Sequence, residues 1–151
     1  MTVPEVAPVD RRAARVLLLD AQGRILLFHG RDPVYAERGQ WWFTPGGGLD
    51  PGETVAQAAA RELREETGLV VDPAALGDVV HQRESTFPWG DQVFRQLEDY
   101  FVLHIDEHDV DTSGFDDVET AAVIGHRWWA PADLAASAER YYPRELLELL
   151  P

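Results

Sequence analysis

Apolar and polar positions along this chain change pattern several times, and each change predicts an element. Arg12 to Leu19 and Arg24 to Phe28 are rich in strand-forming residues, and Asp20-Ala21-Gln22-Gly23 between them predicts a hairpin. His29 to Gln40 is polar, contains Pro33 and Gly39, and reads as a loop. Trp41 to Thr44 is a short strand, ended by Pro45 and by glycines 46 to 48, which allow positive φ and close backbone approach to a ligand. Pro51-Gly52 marks a turn, and beyond it the period becomes helical. Thr54 and Gln57 have capping-box spacing; Ala56, Ala59 and Leu63 form an apolar stripe; Gly68 falls where such a helix would end.

Leu76 to Thr86 and Val93 to Ile105 read as longer strands joined by a turn at Pro88-Trp89-Gly90-Asp91. Asp106 to Thr120 is acidic, contains Gly114, and reads as a mobile loop; Ala121 to Ala130 is a further strand. Pro131-Ala132-Asp133-Leu134 opens a short helix, and Pro143 stands near the start of a last one running to Leu150. Strands outnumber helices, and no repeat, linker or low-complexity tract interrupts them. The pattern by itself supports an α/β or α+β fold in a single domain over residues 1–151, with 1–11 a flexible N-terminal segment.

One feature of the helical segment needs a chemical reason. At 100° per residue, Glu62, Glu65 and Glu66 fall within an arc of about 100°. Glu62 and Glu66 are an i,i+4 like-charge pair, which in isolation destabilises a helix by roughly 0.2–0.5 kcal/mol. A hard divalent cation converts that repulsion into ligation, because Mg²⁺ takes carboxylate oxygens.

Composition narrows the picture. A chain of 151 residues is long enough for one real core and too short for two domains. With no cysteine there is no disulfide, thiolate metal site or cysteine nucleophile. The net charge is −14, and all 13 basic residues are arginine. Such an acidic chain lacks the basic footprint that binding a nucleic-acid polymer needs, but a small anionic substrate can still enter where a bound cation reverses the local potential. The N-terminus has no apolar h-region and no run approaches a membrane span, so a cytoplasmic location is expected, without membrane partners.

The segment from Gly47 to Leu69 reads GGLDPGETVAQAAARELREETGL: Gly47, Glu53, Arg61-Glu62-Leu63, Glu65-Glu66 and Gly68-Leu69 in fixed spacing. It resembles the Nudix box, G-x5-E-x7-R-E-U-x-E-E-x-G-U with U aliphatic, at every specified position. The resemblance implies an α/β/α sandwich with a mixed sheet, and a Mg²⁺- or Mn²⁺-dependent hydrolase that cuts a nucleoside diphosphate linked to another moiety. It marks Glu65 and Glu66 as central metal ligands, Glu62 as a ligand or general base, and Arg61 as the residue that orients a box glutamate. Glu53 is either a peripheral ligand or a brace for the loop, and the carbonyl of Gly46 or Gly47 completes the metal shell. Family members place the general base variably; Glu119 is the first candidate outside the box, with Glu84 and Glu98 behind it.

Substrate contacts are less sharply marked. Arg31, Arg38, Arg83 and Arg95 are candidates for phosphate, Arg24 a weaker one, and Phe87, Trp89 and Tyr35 for stacking on a base. In Trp41-Trp42 and Trp128-Trp129 alternation should bury one ring of each doublet. The five histidines show no ligand spacing. A nucleotide-sensing domain without hydrolysis is the alternative, but such domains lose box glutamates and this box is complete. An isopentenyl-diphosphate isomerase branch is disfavoured by the absence of cysteine, and a Ca²⁺-buffering acid patch is a further alternative. Nucleoside triphosphates, nucleotide sugars and ADP-ribose stand level as substrates, and monomer and homodimer as assemblies.

Overall fold

The computed structural model describes residues 6–151. Strand β1 (Val9–Leu19) is apolar on both faces in its second half, as a central strand must be. It runs parallel to β6 (Gln92–His104), in register from Val9↔Phe94 to Leu19↔His104. On its other side β1 touches β2 (Ile25–Arg31) only at Leu19↔Ile25 and then diverges from it. β4 (Gly46–Gly48) fills the opening and pairs with β1 from Ala13 to Arg15. β2 continues to β3 (Gln40–Phe43) and pairs with β7 (Val123–Trp129); β5 (His81–Trp89) is the outer partner of β6, and the short β8 (Tyr141–Tyr142) borders β3.

Helices cover both faces of this mixed sheet. α1 (Val55–Thr67) packs Ala58, Ala59 and Leu63 against Ala14, Val16, Leu18 and Phe28; burying Leu63 alone is worth about 1.5–3 kcal/mol. The opposite core holds Leu17, Leu27, Trp42, Tyr100 and Trp129 with Leu134 of α3 (Pro131–Ala136) and Leu146 of α4 (Leu146–Leu149). No helix among the described residues is long and apolar enough to cross a membrane. The expected α/β/α arrangement is what forms.

The α1 caps follow the sequence. Thr54 Oγ1 accepts from the Gln57 amide at 3.1 Å, Gln57 Oε1 accepts from the Thr54 amide at 3.0 Å, and Gly68 adopts the left-handed conformation that ends the helix. One ring of each tryptophan doublet is buried, Trp42 and Trp129.

Several boundaries differ from expectation. β1 starts at Val9, so 9–11 are strand and not a flexible segment, because β6 supplies a full-length partner; residues 1–5 lie outside the described residues. The glycines 46–48 form a strand rather than a loop. Residues Pro73–Leu76 make a 3₁₀ turn, and β5 begins only at His81. Pro88 and Trp89 belong to β5, leaving Gly90 and Asp91 as the turn; β5 borders the sheet, where a proline's missing N–H costs no ladder bond. The acidic stretch is not free. It ends in α2 (Asp117–Ala122), capped by Asp116, so β7 starts at Val123. The buried side of α1 also differs: Ala56 is only partly covered, whereas Glu62 and Glu66 are buried.

Candidate active site

α1 carries two carboxylates into the wedge where β1 and β2 part. Glu66 is 2% exposed, and its Oε1 accepts the Gly46 amide at 2.7 Å. Glu62 lies one turn earlier against Gly47, where a Cβ would stand 2.6 Å from its Oε1. Gly46 has φ 141, and a side chain there would meet the Ala14 carbonyl at 2.1 Å. The glycines are therefore required by close packing of β4 against α1 and β1.

Glu119, the candidate outside the box, reaches the same point from α2. Carboxylate oxygens of Glu62, Glu66 and Glu119 lie within 4.8 Å of one another. The acidic stretch brings it there by docking on α1: the Asp111 amide donates to the Thr67 carbonyl at 2.9 Å, and Phe115 packs edge-on to Phe28. Glu119 also accepts the Asp116 amide in the α2 capping box.

Arg61 organises a second group of carboxylates beside the first. Its guanidinium donates to both Glu53 oxygens at 2.8 and 3.0 Å, to Glu62 at 3.0 Å, to Glu65 at 3.2 Å and to the Gly48 carbonyl at 2.9 Å. Glu53 also accepts the Asp50 amide, so it braces the loop before α1, and Arg61 holds its carboxyl below the usual range. Glu65 faces Arg61 and lies outside the three-carboxylate cluster.

Burial pushes the Glu62 carboxyl up to about 7, against the pull of Arg61. Glu66 is raised well above the usual range, first by burial and then by Glu62 and Glu119. These groups therefore repel each other unless protonated or joined by a cation. Three hard oxygen donors from two helices, buried beyond what one arginine offsets, fit Mg²⁺ or Mn²⁺.

The raised values have a consequence for stability. Both carboxyls hold protons more tightly in the folded chain than in the unfolded one, where the Glu value is 4.5. Metal-free stability is therefore full below that value and falls as pH rises through the Glu62 value near 7, by up to about 1.4 kcal/mol per pH unit for each group. Carboxyls held low, such as Asp20, Asp32 and Glu53, act in the opposite sense, but only at lower pH. Calorimetry on chelator-treated protein from about pH 5 to about pH 8 should show this decline, and Glu62→Gln should flatten it. An unchanged slope in that variant would remove Glu62 as its source.

Most arginines expected at phosphate are already paired. Arg38 donates to Asp32 at 2.6 Å and to the Gly90 carbonyl, Arg83 lies 3.4 Å from Glu98, and Arg95 lies 2.6 Å from Asp10. Arg31 is exposed at the end of β2. Phe87 packs on Phe94 across the hairpin, and Trp89 ends β5. Of the further carboxylates, Glu84 is exposed, whereas Glu98 is buried and paired with Arg15. Two residues the sequence reading missed adjoin the site: Arg11, packed beside Gly48, and Arg15, hydrogen-bonded to Gly46. The signal for Arg15 was present, an arginine inside an apolar strand.

A NUDIX domain model matches residues 9–150. An RNA pyrophosphohydrolase from Novosphingobium aromaticivorans is 31% identical over 134 residues, covering 82% of this chain and 80% of that protein. A CTP pyrophosphohydrolase from Escherichia coli is 38% identical over 69 residues, 44% of this chain and 47% of that one. Several other curated relatives are matched over only 11–52% of their length. The MutT protein of Methanosarcina mazei Go1 superposes with a TM-score of 0.69 at 19% identity, over 96% of this chain and 93% of that one, a likeness of fold. Since the family model runs from the first strand to the last helix and the Novosphingobium and Escherichia coli relatives are pyrophosphohydrolases, the chain belongs to the Nudix family as an enzyme of that kind.

Proposed function

We propose that this enzyme hydrolyses the phosphoanhydride of a free nucleotide, a nucleoside triphosphate or a nucleoside diphosphate joined to another group such as a sugar or ribose. The convergence of Glu62, Glu66 and Glu119 beside the glycine strand carries the reading. Glu62 and Glu66 would hold the metal, and Glu119, the least buried of the three converging carboxylates, would take the proton of the attacking water, with Glu65 held beside them by Arg61. Mg²⁺ or Mn²⁺ bound there supplies charge for the anhydride oxygens and lowers the pKa of its water. Arg61 holds Glu62 and Glu65 in place while Glu53 fixes Arg61.

A free nucleotide is favoured because the net charge is −14 and Arg38, Arg83 and Arg95 are each matched by a carboxylate, which leaves little basic surface for a polymer. A second reading, action on the triphosphate end of RNA, is favoured by the Novosphingobium relative. One plate separates them: nucleoside triphosphates, nucleotide sugars, ADP-ribose and a short 5′-triphosphorylated RNA, with Mg²⁺ and Mn²⁺, read by phosphate release with and without added phosphatase. The free-nucleotide reading expects kcat/KM for the best nucleotide at least about 10-fold above that for RNA, with little dependence on salt. A preference for RNA that falls steeply with salt would overturn it.

A further inference from the structure

Burying a guanidinium is costly unless its donors are met. Arg15 sits between Ala14 and Val16 in β1, and its side chain is only 17% exposed. Its Nε donates to Glu98 Oε2 at 3.1 Å, and its Nη1 donates to the carbonyls of Gly46 at 3.1 Å and Thr44 at 3.3 Å. Main-chain contacts grip the same segment: Arg15 faces Gly46 in the β1–β4 ladder, and the Val16 amide donates to the Pro45 carbonyl at 2.9 Å. Gly46 in turn donates its amide to Glu66. Glu98 is anchored from behind by Tyr100, Arg83 and Ser85, whose donors lie at 3.2, 3.4 and 3.4 Å.

We infer that Arg15, oriented by Glu98, is a positioning residue for the metal: it fixes Gly46 so that the Gly46 amide holds Glu66 in its ligating orientation. The inference rests on the reading that Glu66 holds the metal. Gly46 is the natural point of control, because its φ of 141 and its contact with β1 leave it one arrangement. An internal control exists on the same two strands. Arg12 pairs with Asp99 at 2.8 Å on the side of the sheet that Ala14 and Val16 turn to α1, but among the described residues its side chain hydrogen-bonds only Asp99 and does not hold Thr44 or Gly46.

The test is a titration of the metal-stripped full chain with Mn²⁺ and no substrate, following free Mn²⁺ by paramagnetic resonance. Arg15→Leu is expected to weaken binding about 10- to 100-fold, and Glu98→Gln in the same direction but less. Arg15→Lys recovers only part, since one ammonium cannot span Glu98 and two carbonyls. Arg12→Leu is expected to bind like wild type. A folded Arg15→Leu that binds Mn²⁺ within about 2-fold of wild type overturns the inference, as does an equal loss in Arg12→Leu. If Arg15→Leu does not fold, Glu98→Gln decides, and unchanged affinity in it overturns the inference. Glu66→Gln in the same series keeps the two claims apart: if it binds as tightly as wild type, the metal assignment fails, whatever Arg15 does.

Discussion

Glu66→Gln is expected to lower kcat by about 10³-fold, equivalent to ~4 kcal/mol, while making the metal-free protein more stable at pH above neutrality. The two effects share one cause. Glu66 is buried in full and lies near Glu62 and Glu119, so its charge is unfavourable until a cation offsets it. Glutamine keeps an acceptor for the Gly46 amide but removes the charge, which relieves the folded chain and weakens the metal site together. The gain in Tm should shrink as pH falls towards the ordinary carboxylate range, because the wild-type carboxyl, held high by burial, then carries its proton too. Steady-state rates in Mg²⁺ and melting curves in chelator read the two effects separately. Turnover at the wild-type rate would falsify the assignment of Glu66 to the metal.

Removing Arg61 should damage both stability and rate. Its side chain is 20% exposed and is shared by Glu53, Glu62, Glu65 and, at 3.3 Å, Asp50. Arg61→Ala leaves these carboxylates facing one another, at a cost of about 3 kcal/mol, or roughly 6–12 °C in Tm for a chain of this size. Glu62, which Arg61 holds down, then titrates higher still, and kcat is expected to fall about 100-fold. Arg61→Lys should recover little, because the fork hydrogen-bonds the Gly48 carbonyl and the three carboxylates of Glu53, Glu62 and Glu65 at once and an ammonium cannot. A variant that melts and turns over like wild type would reduce Arg61 to an ordinary helix ion pair.

Much of the site was legible before folding, and its omissions have one character. The capping box at Thr54, the Gly68 terminus and the stripe of Glu62, Glu65 and Glu66 are set by residues a turn apart, so spacing reveals them. Glu119 could be marked as a candidate but not placed. Its position depends on Phe115 entering the core and on Asp111 reaching Thr67, contacts far apart in sequence. The acidic stretch looks mobile by composition and is held by these docking contacts. Likewise the glycines of β4 look like a loop, since glycine weakens a strand, but the splayed β1 and β2 leave a gap that only a side-chain-free strand fills. The arginines at 38, 83 and 95 look like candidates for phosphate because no periodicity shows that Asp32, Glu98 and Asp10 are their partners.

The sequence by itself therefore determined the α1 helix, its caps and the presence of a hard-oxygen face, because each follows from backbone geometry over a few residues. Only the tertiary structure decided how those carboxylates divide. Glu66 and Glu62 are buried together and meet Glu119, whereas Glu65 and Glu53 turn to Arg61. That division arises from burial and from charges brought together across the chain, and neither is encoded in spacing along one helix.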